Sequence, residues 1–566
     1  MKTHNQRGAR AAVLRHFRRH YHGNLGWGWG ELACIIGLLL LWEPGAEAAG
    51  RLPVVPKWTR FEHTFHSSRE YTNALQDATL TVRFISPLGE TSEAYGFWDG
   101  GRDWRVRFSP DEPGMWKFSS ICSDPGNAGL NGKTGAFLCT SPLVITPFHK
   151  HGRVVVAPDQ QHFEYADGTP FFWMADAVWN GPRQARPKDW ERYVQVRASE
   201  GFDVAEWSAA PGANDLGESA LGGFPDRVSI NPRVFQRLDT RLDALSRVGM
   251  LSAIAPLTET GVLGEPRLTE EQAVLVWRYA LARWGADPVV WLVNFEVGTN
   301  AQALERWQRI GQTVFTRVPH TPVVLRLNEF TDAAFSSVPL WVDALAVEPI
   351  AQLDSTSLSR TFKSSLPKTV RRHWPVLSML PIENGRAPAG ARYRADEVRR
   401  SAYWDLLWTA PAAGLCYGGQ GVAQWDTSLP APGQNGGLPF WERALFMPGA
   451  KQIRYVDGLM NSVPFWRLMP EPQAVAVQPG EVTAKRETLA AGTSDKNWLV
   501  AYGPEDRNVE LKLDALPSSP VISWLNPRTG QITPAVAVVL ANSCQFPTPE
   551  PGDWVLLVRQ GPGNGQ

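Results

Sequence analysis

Between about residue 150 and residue 465 the chain alternates eight short apolar runs with stretches of helical periodicity, and few folds can absorb that pattern. The runs are Phe171-Phe-Trp-Met-Ala175, Val204-Ala-Glu-Trp207, Leu251-Ser-Ala-Ile-Ala255 and Val289-Val-Trp-Leu-Val293. They continue with Val323-Val-Leu-Arg-Leu327, Ala344-Leu-Ala-Val347, Val376-Leu-Ser-Met379 and Gly414-Leu-Cys-Tyr417. Helical patterns fall between most of them, as in Pro187–Arg197 and Glu270–Tyr279. Near-continuous apolar runs suit parallel strands covered on both faces. Eight βα units in about 300 residues predict a (β/α)8 barrel. A doubly wound open sheet is the alternative, but the chain carries no Gly-rich nucleotide fingerprint to support it.

On either side of this region the grammar is different. Ala78–Phe84, Trp104–Phe108 and Gly114–Phe118 alternate with period two and are separated by Pro-Leu-Gly, Asp-Gly-Gly and Asp-Glu-Pro-Gly turns. After about residue 470, Trp498–Tyr502, Val509–Leu513, Val521–Leu525 and Asp553–Val558 repeat the style, with a turn at Asn526–Gly530. A chain of 566 residues exceeds one hydrophobic core. The expected fold is therefore multidomain: a central (β/α)8 TIM barrel over 149–465, an N-terminal Ig-like β-sandwich over 50–148 and a C-terminal β-sandwich over 470–566.

Residues 1–49 read as an export signal. Arg7, Arg10, Arg15, Arg18 and Arg19 precede the apolar run Ala33–Trp42, and Ala46-Glu-Ala48 offers a cleavage site. The run is about half the length a bilayer span needs, so no membrane span is expected after cleavage and the mature protein is expected to be secreted or periplasmic. Lys+Arg and Asp+Glu balance at 56 each, which argues against nucleic acid as a partner. In an exported chain, Cys122 and Cys139, flanking a Gly/Asn-rich loop, read as a disulfide. No metal-ligand spacing appears, and the pattern calls for no cofactor. The 25 Trp serve either as core residues or as stacking platforms for a sugar face.

Barrel chemistry sits at the carboxyl ends of the strands. Asp176, Glu206, Glu259, Glu296, Glu329, Glu348, Glu383 and Asp426 all fall at or just past those ends. Some must cap helices or pair with Arg. Glu296 ends the most apolar strand, two residues after Asn294, where an apolar mouth would hold a proton ready for a leaving oxygen. Glu383 ends strand seven, across the mouth from strand four. Paired carboxylates about 5 Å apart would give retaining hydrolysis of a glycosidic bond, and a wider gap inversion. The candidate catalytic residues are Glu296 and Glu383; candidate substrate-binding residues are Asp176, Trp179, Trp207, Asn294, Glu348, Tyr417, Gln424 and Trp425.

Gly168–Trp179, Pro288-Val-Val-Trp291, Arg399–Trp404 and Tyr417–Trp425 resemble the apiosidase-like glycoside hydrolases. Gly96–Gly101, Arg105–Pro110 and Gly129–Gly135 are similar to the small domain often fused ahead of such barrels. Asn526–Gly530 and Gly552–Leu556 are similar to a domain type named for the collagen-binding part of a collagenase, a name that is not a function. The resemblance implies a catalytic acid where this chain has Asn294-Phe-Glu296 in place of the usual Gly-Gly-Asp. It implies a nucleophile in a Gly-Glu-Pro motif, where this chain has Met379-Leu380-Pro381. Leu380 cannot attack an anomeric carbon, and Glu383 lies two residues beyond the proline.

Three readings follow. The chain is an exported glycoside hydrolase acting on plant- or microbe-derived polysaccharide; or it is a catalytically silent barrel that binds glycans; or it is an adhesion or matrix-binding protein led by its C-terminal module.

Overall fold

A computed structural model gives the fold. It describes residues 52–562 apart from 211, 224–226, 259–267, 295–300, 317, 328–337, 348–373, 388–389, 410, 412, 430–439, 479–486 and 506–507. The expected signal at 1–49 lies outside the described residues. Among those described, no helix is long and apolar enough to cross a membrane.

The eight apolar runs close into a parallel barrel in chain order. Its strands are Trp173–Ala177, Val204–Ser208, Leu251–Ala255, Val289–Asn294, Val323–Leu327, Ala344–Val347, Val376–Met379 and Gly414–Tyr417. Their side chains alternate between two apolar environments. Ala175, Val204, Ala253, Leu292, Val324, Ala346 and Leu377 fill the interior. Met174, Ala205, Ile254, Trp291, Leu325, Leu345 and Leu415 pack outward against the helices. This two-sided burial is why the strands read as unbroken apolar runs rather than as alternating ones. Phe148, Val154, Phe163 and Phe171 join the interior cluster around Trp173, through a three-stranded sheet (154–156, 163–165, 170–171).

The surrounding helices start where their sequences offer a stop for the backbone. Asn231 accepts from Arg233 N before Pro232–Arg247, and Thr269 and Gln272 form a reciprocal capping box before Glu270–Trp284. Among the described residues nine tryptophans are fully buried: Trp173, Trp190, Trp207, Trp277, Trp284, Trp291, Trp404, Trp441 and Trp524. Each removes about 150–250 Å² from water, so core building accounts for much of the tryptophan content.

The N-terminal domain is one seven-stranded sheet folded over on itself. The first half of strand Thr91–Gly100 pairs with Leu80–Ile85, and its second half pairs with Asp103–Phe108, so this strand turns the corner. Phe61, Phe84, Phe118 and Phe137 meet inside, with the Phe61 and Phe137 rings stacked at 4.1 Å. The expected disulfide does not form: Cys122 and Cys139 are buried free thiols. Cys139 pairs opposite Gly114, at the other end of strand Gly114–Cys122 from Cys122. Eight residues of extended strand are about 26 Å, far beyond the ~7 Å Cα separation a disulfide tolerates.

The C-terminal domain stacks a six-stranded sheet on a three-stranded one around Trp524, Phe546, Leu556 and Val558. Buried ion pairs fasten both sandwiches to the barrel. On the N-terminal side, Asp239 accepts from Arg107 Nη2 at 2.7 Å, Arg283 Nε at 2.8 Å, Arg283 Nη2 at 2.7 Å and Trp284 Nε1 at 2.8 Å. Burial alone would raise the Asp239 pKa, but Arg283 and Arg107 outweigh it and hold it below the usual range. On the C-terminal side, Arg399 donates two bonds of 2.8 Å to Asp553, which also accepts from the Tyr502 hydroxyl at 2.9 Å.

Candidate active site

A cavity of about 620 Å³ opens at the carboxyl ends of strands one, five, seven and eight. Ala177 and Trp179 line it from strand one, Arg326 from strand five, Met379 to Ile382 from strand seven, and Cys416 to Gly418 from strand eight. Its remaining wall comes from the loop after strand seven, through Gly385, Arg386, Ala387 and Tyr393. That loop is a hairpin: Asn384 N donates to Tyr393 O, and Ala387 N to Ala391 O. Asn384 turns into it with φ of 61°, a conformation Asn tolerates better than most residues. Gln420 pins the hairpin to the barrel, accepting from Asn384 Nδ2 at 3.1 Å and Arg392 Nη1 at 2.7 Å.

Trp179 and Arg326 form one side of the cavity, with the guanidinium carbon 4.8 Å from the indole centroid. On strand two, in register with Ala177, Glu206 is only 2% exposed. It accepts from Trp173 Nε1 at 3.3 Å and sits against the Cys416 thiol. Burial raises the Glu206 pKa, and the charge of Arg326 opposes that rise. Burial likewise pushes the Cys416 thiol well above its ordinary value, and the neighbouring Glu206 charge adds to it.

The structure divides the sequence candidates sharply. Trp179 belongs to the cavity. Glu296 and Glu348 lie outside the described residues, as does the side chain of Asn294, whose backbone pairs with Arg326 on the neighbouring strand. Asp176 does not reach the mouth. It is fully buried on the outer side of strand one, accepting from Arg197 Nε at 2.6 Å and Tyr193 OH at 3.1 Å. Burial raises its pKa against the pull of Arg197. Trp207 also faces outward, edge-on to Trp284 at 5.7 Å. Trp425 is buried against Trp441, stacked at 4.5 Å, and Gln424 is exposed away from the cavity lining.

Glu383 is the largest departure. Past Pro381 the chain runs beside Gly419, and the Glu383 carboxylate turns away from the cavity to become buried at 4% exposure. Its Oε2 accepts from the Tyr417 hydroxyl at 2.5 Å, and its Oε1 from Gly449 N at 3.1 Å. Gly449 opens the helix Pro448–Met460, so the carboxylate caps the positive end of a helix. A Cβ on Gly449 would stand 2.3 Å from Oε2, so a larger residue there would push the carboxylate out of this position. The Tyr417 hydroxyl is therefore spent on Glu383. Burial and the Glu383 charge raise its pKa well above the ordinary value, which keeps it a donor.

Arg326, Arg386 and Tyr393 were not among the sequence candidates. An arginine inside an otherwise apolar strand was the available signal for Arg326, and the Asn384-Gly385 turn signal marked the hairpin that carries the other two.

Comparison with known proteins agrees with this architecture. Residues 54–123 match a domain of unknown function (DUF5060), and residues 470–559 match the "putative collagen-binding domain of a collagenase". A solved structure titled "Glycoside hydrolase" is 19% identical, with a TM-score of 0.61 over 74% of this chain and 98% of its own. A glycoside hydrolase family 5 structure from Bacteroides vulgatus ATCC 8482 is 20% identical, with a TM-score of 0.62 over 73% and 94%. A third, titled "putative glycoside hydrolase" and from the same organism, is 16% identical at 0.67 over 90% and 100%. At these identities the likeness is one of fold. No curated protein matches. Residues 157–467, more than half of the chain, match the model described as "Apiosidase-like, catalytic domain", and the protein belongs to that family.

Proposed function

We propose that this protein is an exported glycoside hydrolase that cleaves glycosidic bonds in plant- or microbe-derived polysaccharide. The observation that carries the reading is the 620 Å³ cavity at the catalytic end of an apiosidase-family barrel, walled by an indole and a guanidinium. It is large enough for sugar units, and its lining mixes the apolar and hydrogen-bonding groups a pyranose presents. Glu296, directly beyond strand four, is the proposed acid/base that protonates the leaving oxygen. Glu348, directly beyond strand six, is the carboxylate proposed to bind substrate beside it. Glu383 is not retained as nucleophile, because both its oxygens are engaged away from the cavity.

The decisive assay is reducing-sugar release by the mature protein across a panel of plant and bacterial polysaccharides, with Glu296→Gln alongside. Turnover in the wild type that vanishes in Glu296→Gln, at unchanged glycan affinity, supports the reading. Binding without turnover favours a silent glycan-binding barrel, a reading that gains weight from Leu380 standing at the family's nucleophile position.

A further inference from the structure

A second cavity, of about 280 Å³, opens where the N-terminal sandwich meets the barrel. The sandwich contributes Phe108, Ser109, Asp111 and Glu112; the barrel contributes Gly285, ahead of strand four, and His320, ahead of strand five. These are the amino ends of the strands, so a strand length of about 17–20 Å separates this cavity from the one at the carboxyl ends. Phe108 stacks one face on Phe84 at 4.1 Å, and what it offers the cavity is its other face and its edge. Trp116 Nε1 donates to Glu112 O at 2.8 Å and holds the turn that carries the carboxylate. Glu112 Oε2 is buried and accepts no hydrogen bond from the described residues. A buried carboxylate oxygen without a donor is costly, and a donor on a ligand relieves that cost.

Among the described residues the charged lining sets Glu90, Glu93, Asp111 and Glu112 against Arg107 and Arg153. Arg83 pairs with Glu93, while Glu62 and Asp239 hold Arg107, which leaves three carboxylates facing one guanidinium. That surplus repels uronate and sulfate units. Nor do any three acids or histidines among the described residues come together as a metal site. Carboxylates spaced around an aromatic face, with the Ser109 hydroxyl and a guanidinium beside them, match instead the hydroxyls and the C–H face of a sugar ring. We infer that this cavity is a second, non-catalytic glycan site: it takes one uncharged sugar unit, stacked on Phe108 and hydrogen-bonding through a hydroxyl to Glu112 Oε2. A polysaccharide held at both ends of the barrel gains avidity without any new contact at the active cavity. The inference goes beyond the proposed hydrolysis and does not depend on it, because binding here needs no turnover.

The test is affinity electrophoresis of the full chain in gels containing galactomannan, xyloglucan or arabinan, with polygalacturonate as the anionic control. At least one neutral polymer is expected to retard the wild type, and polygalacturonate to retard it less. Glu112→Ala removes the acceptor, and Ser109→Trp fills the cavity. Each is expected to weaken that retardation about tenfold in Kd, with the melting temperature within about 3 °C of wild type. Glu112→Ala decides alone where the larger side chain of Ser109→Trp disturbs the sandwich. No retardation of the wild type by any neutral polymer, or retardation that Glu112→Ala keeps in full, overturns the inference. So does retardation by polygalacturonate alone. Reducing-sugar release is scored separately: a chain that binds at this cavity but hydrolyses nothing fails the hydrolase reading and leaves this one standing.

Discussion

Glu383→Gln separates a structural carboxylate from a nucleophile. In the wild type the Glu383 carboxylate receives one bond from a buried hydroxyl and one from the first turn of a helix. Bonds to a charged group contribute about 1.5–3 kcal/mol each, against about 0.5–1.5 kcal/mol for neutral ones. The amide keeps the shape and an acceptor for Gly449 N, but it forfeits the charge at both bonds and at the helix terminus. The expected loss is about 2–3 kcal/mol, seen as a lower urea midpoint by far-ultraviolet circular dichroism. The kcat of the folded variant should stay within about threefold of wild type. Gly449→Ala should produce a loss of the same sign, since its Cβ would collide with Glu383 Oε2. The opposite pattern would refute this account. If Glu383→Gln unfolds like the wild type but loses about a thousandfold in kcat, the carboxylate swings into the cavity and attacks substrate.

Asp239→Ala should cost about 2–3 kcal/mol, because it removes the carboxylate shared by the buried Arg283, Arg107 and Trp284 while Arg283 keeps Asp99 and Arg107 keeps Glu62. Faster proteolysis of the N-terminal sandwich is the readout, and an unchanged digestion rate would count against the hub. Because the Asp239 pKa is lowered on folding, its stabilisation is present at neutral pH and fades as pH falls below the usual carboxylate range. Asp405 behaves oppositely: burial raises it to about 8, so its stabilising contribution is full below the unfolded value and is lost as pH rises through about 8. Asp405→Asn should therefore gain stability relative to wild type as pH is raised from 4 to 8, measured by thermal unfolding; a constant difference across that range would contradict the shift. Reduction with dithiothreitol should leave the melting temperature unchanged, and peptide mapping without reductant should find Cys122 and Cys139 unlinked.

The barrel was legible because each of its strands is apolar on both faces, and that same property hid the site. In a strand with one wet face, polarity announces which residues point inward. Here Met174-Ala175-Asp176 and Ala205-Glu206-Trp207 give no such cue, and a shift of one position exchanges core and cavity. Asp176 and Trp207 fall on the outward parity, and so does the Tyr417 ring, although Tyr417 also lines the cavity beside Gly418; Glu206 and Arg326 fall on the inward one. Strand pairing could have resolved the parity, but it depends on long-range register that no local window contains. The Cys122–Cys139 expectation failed for the same reason, since a short loop in sequence spans the length of a strand in space. Glu383 was hidden for a different reason: its direction is set by Pro381, Gly419 and the distant Gly449, whose N–H it accepts, and no local window joins these residues. A strand-end acid is thus evidence of a reaction only when its parity and its partners are known: Asp176 points outward onto Arg197 and Glu383 caps a helix, so position at a strand end alone assigned neither of them chemistry.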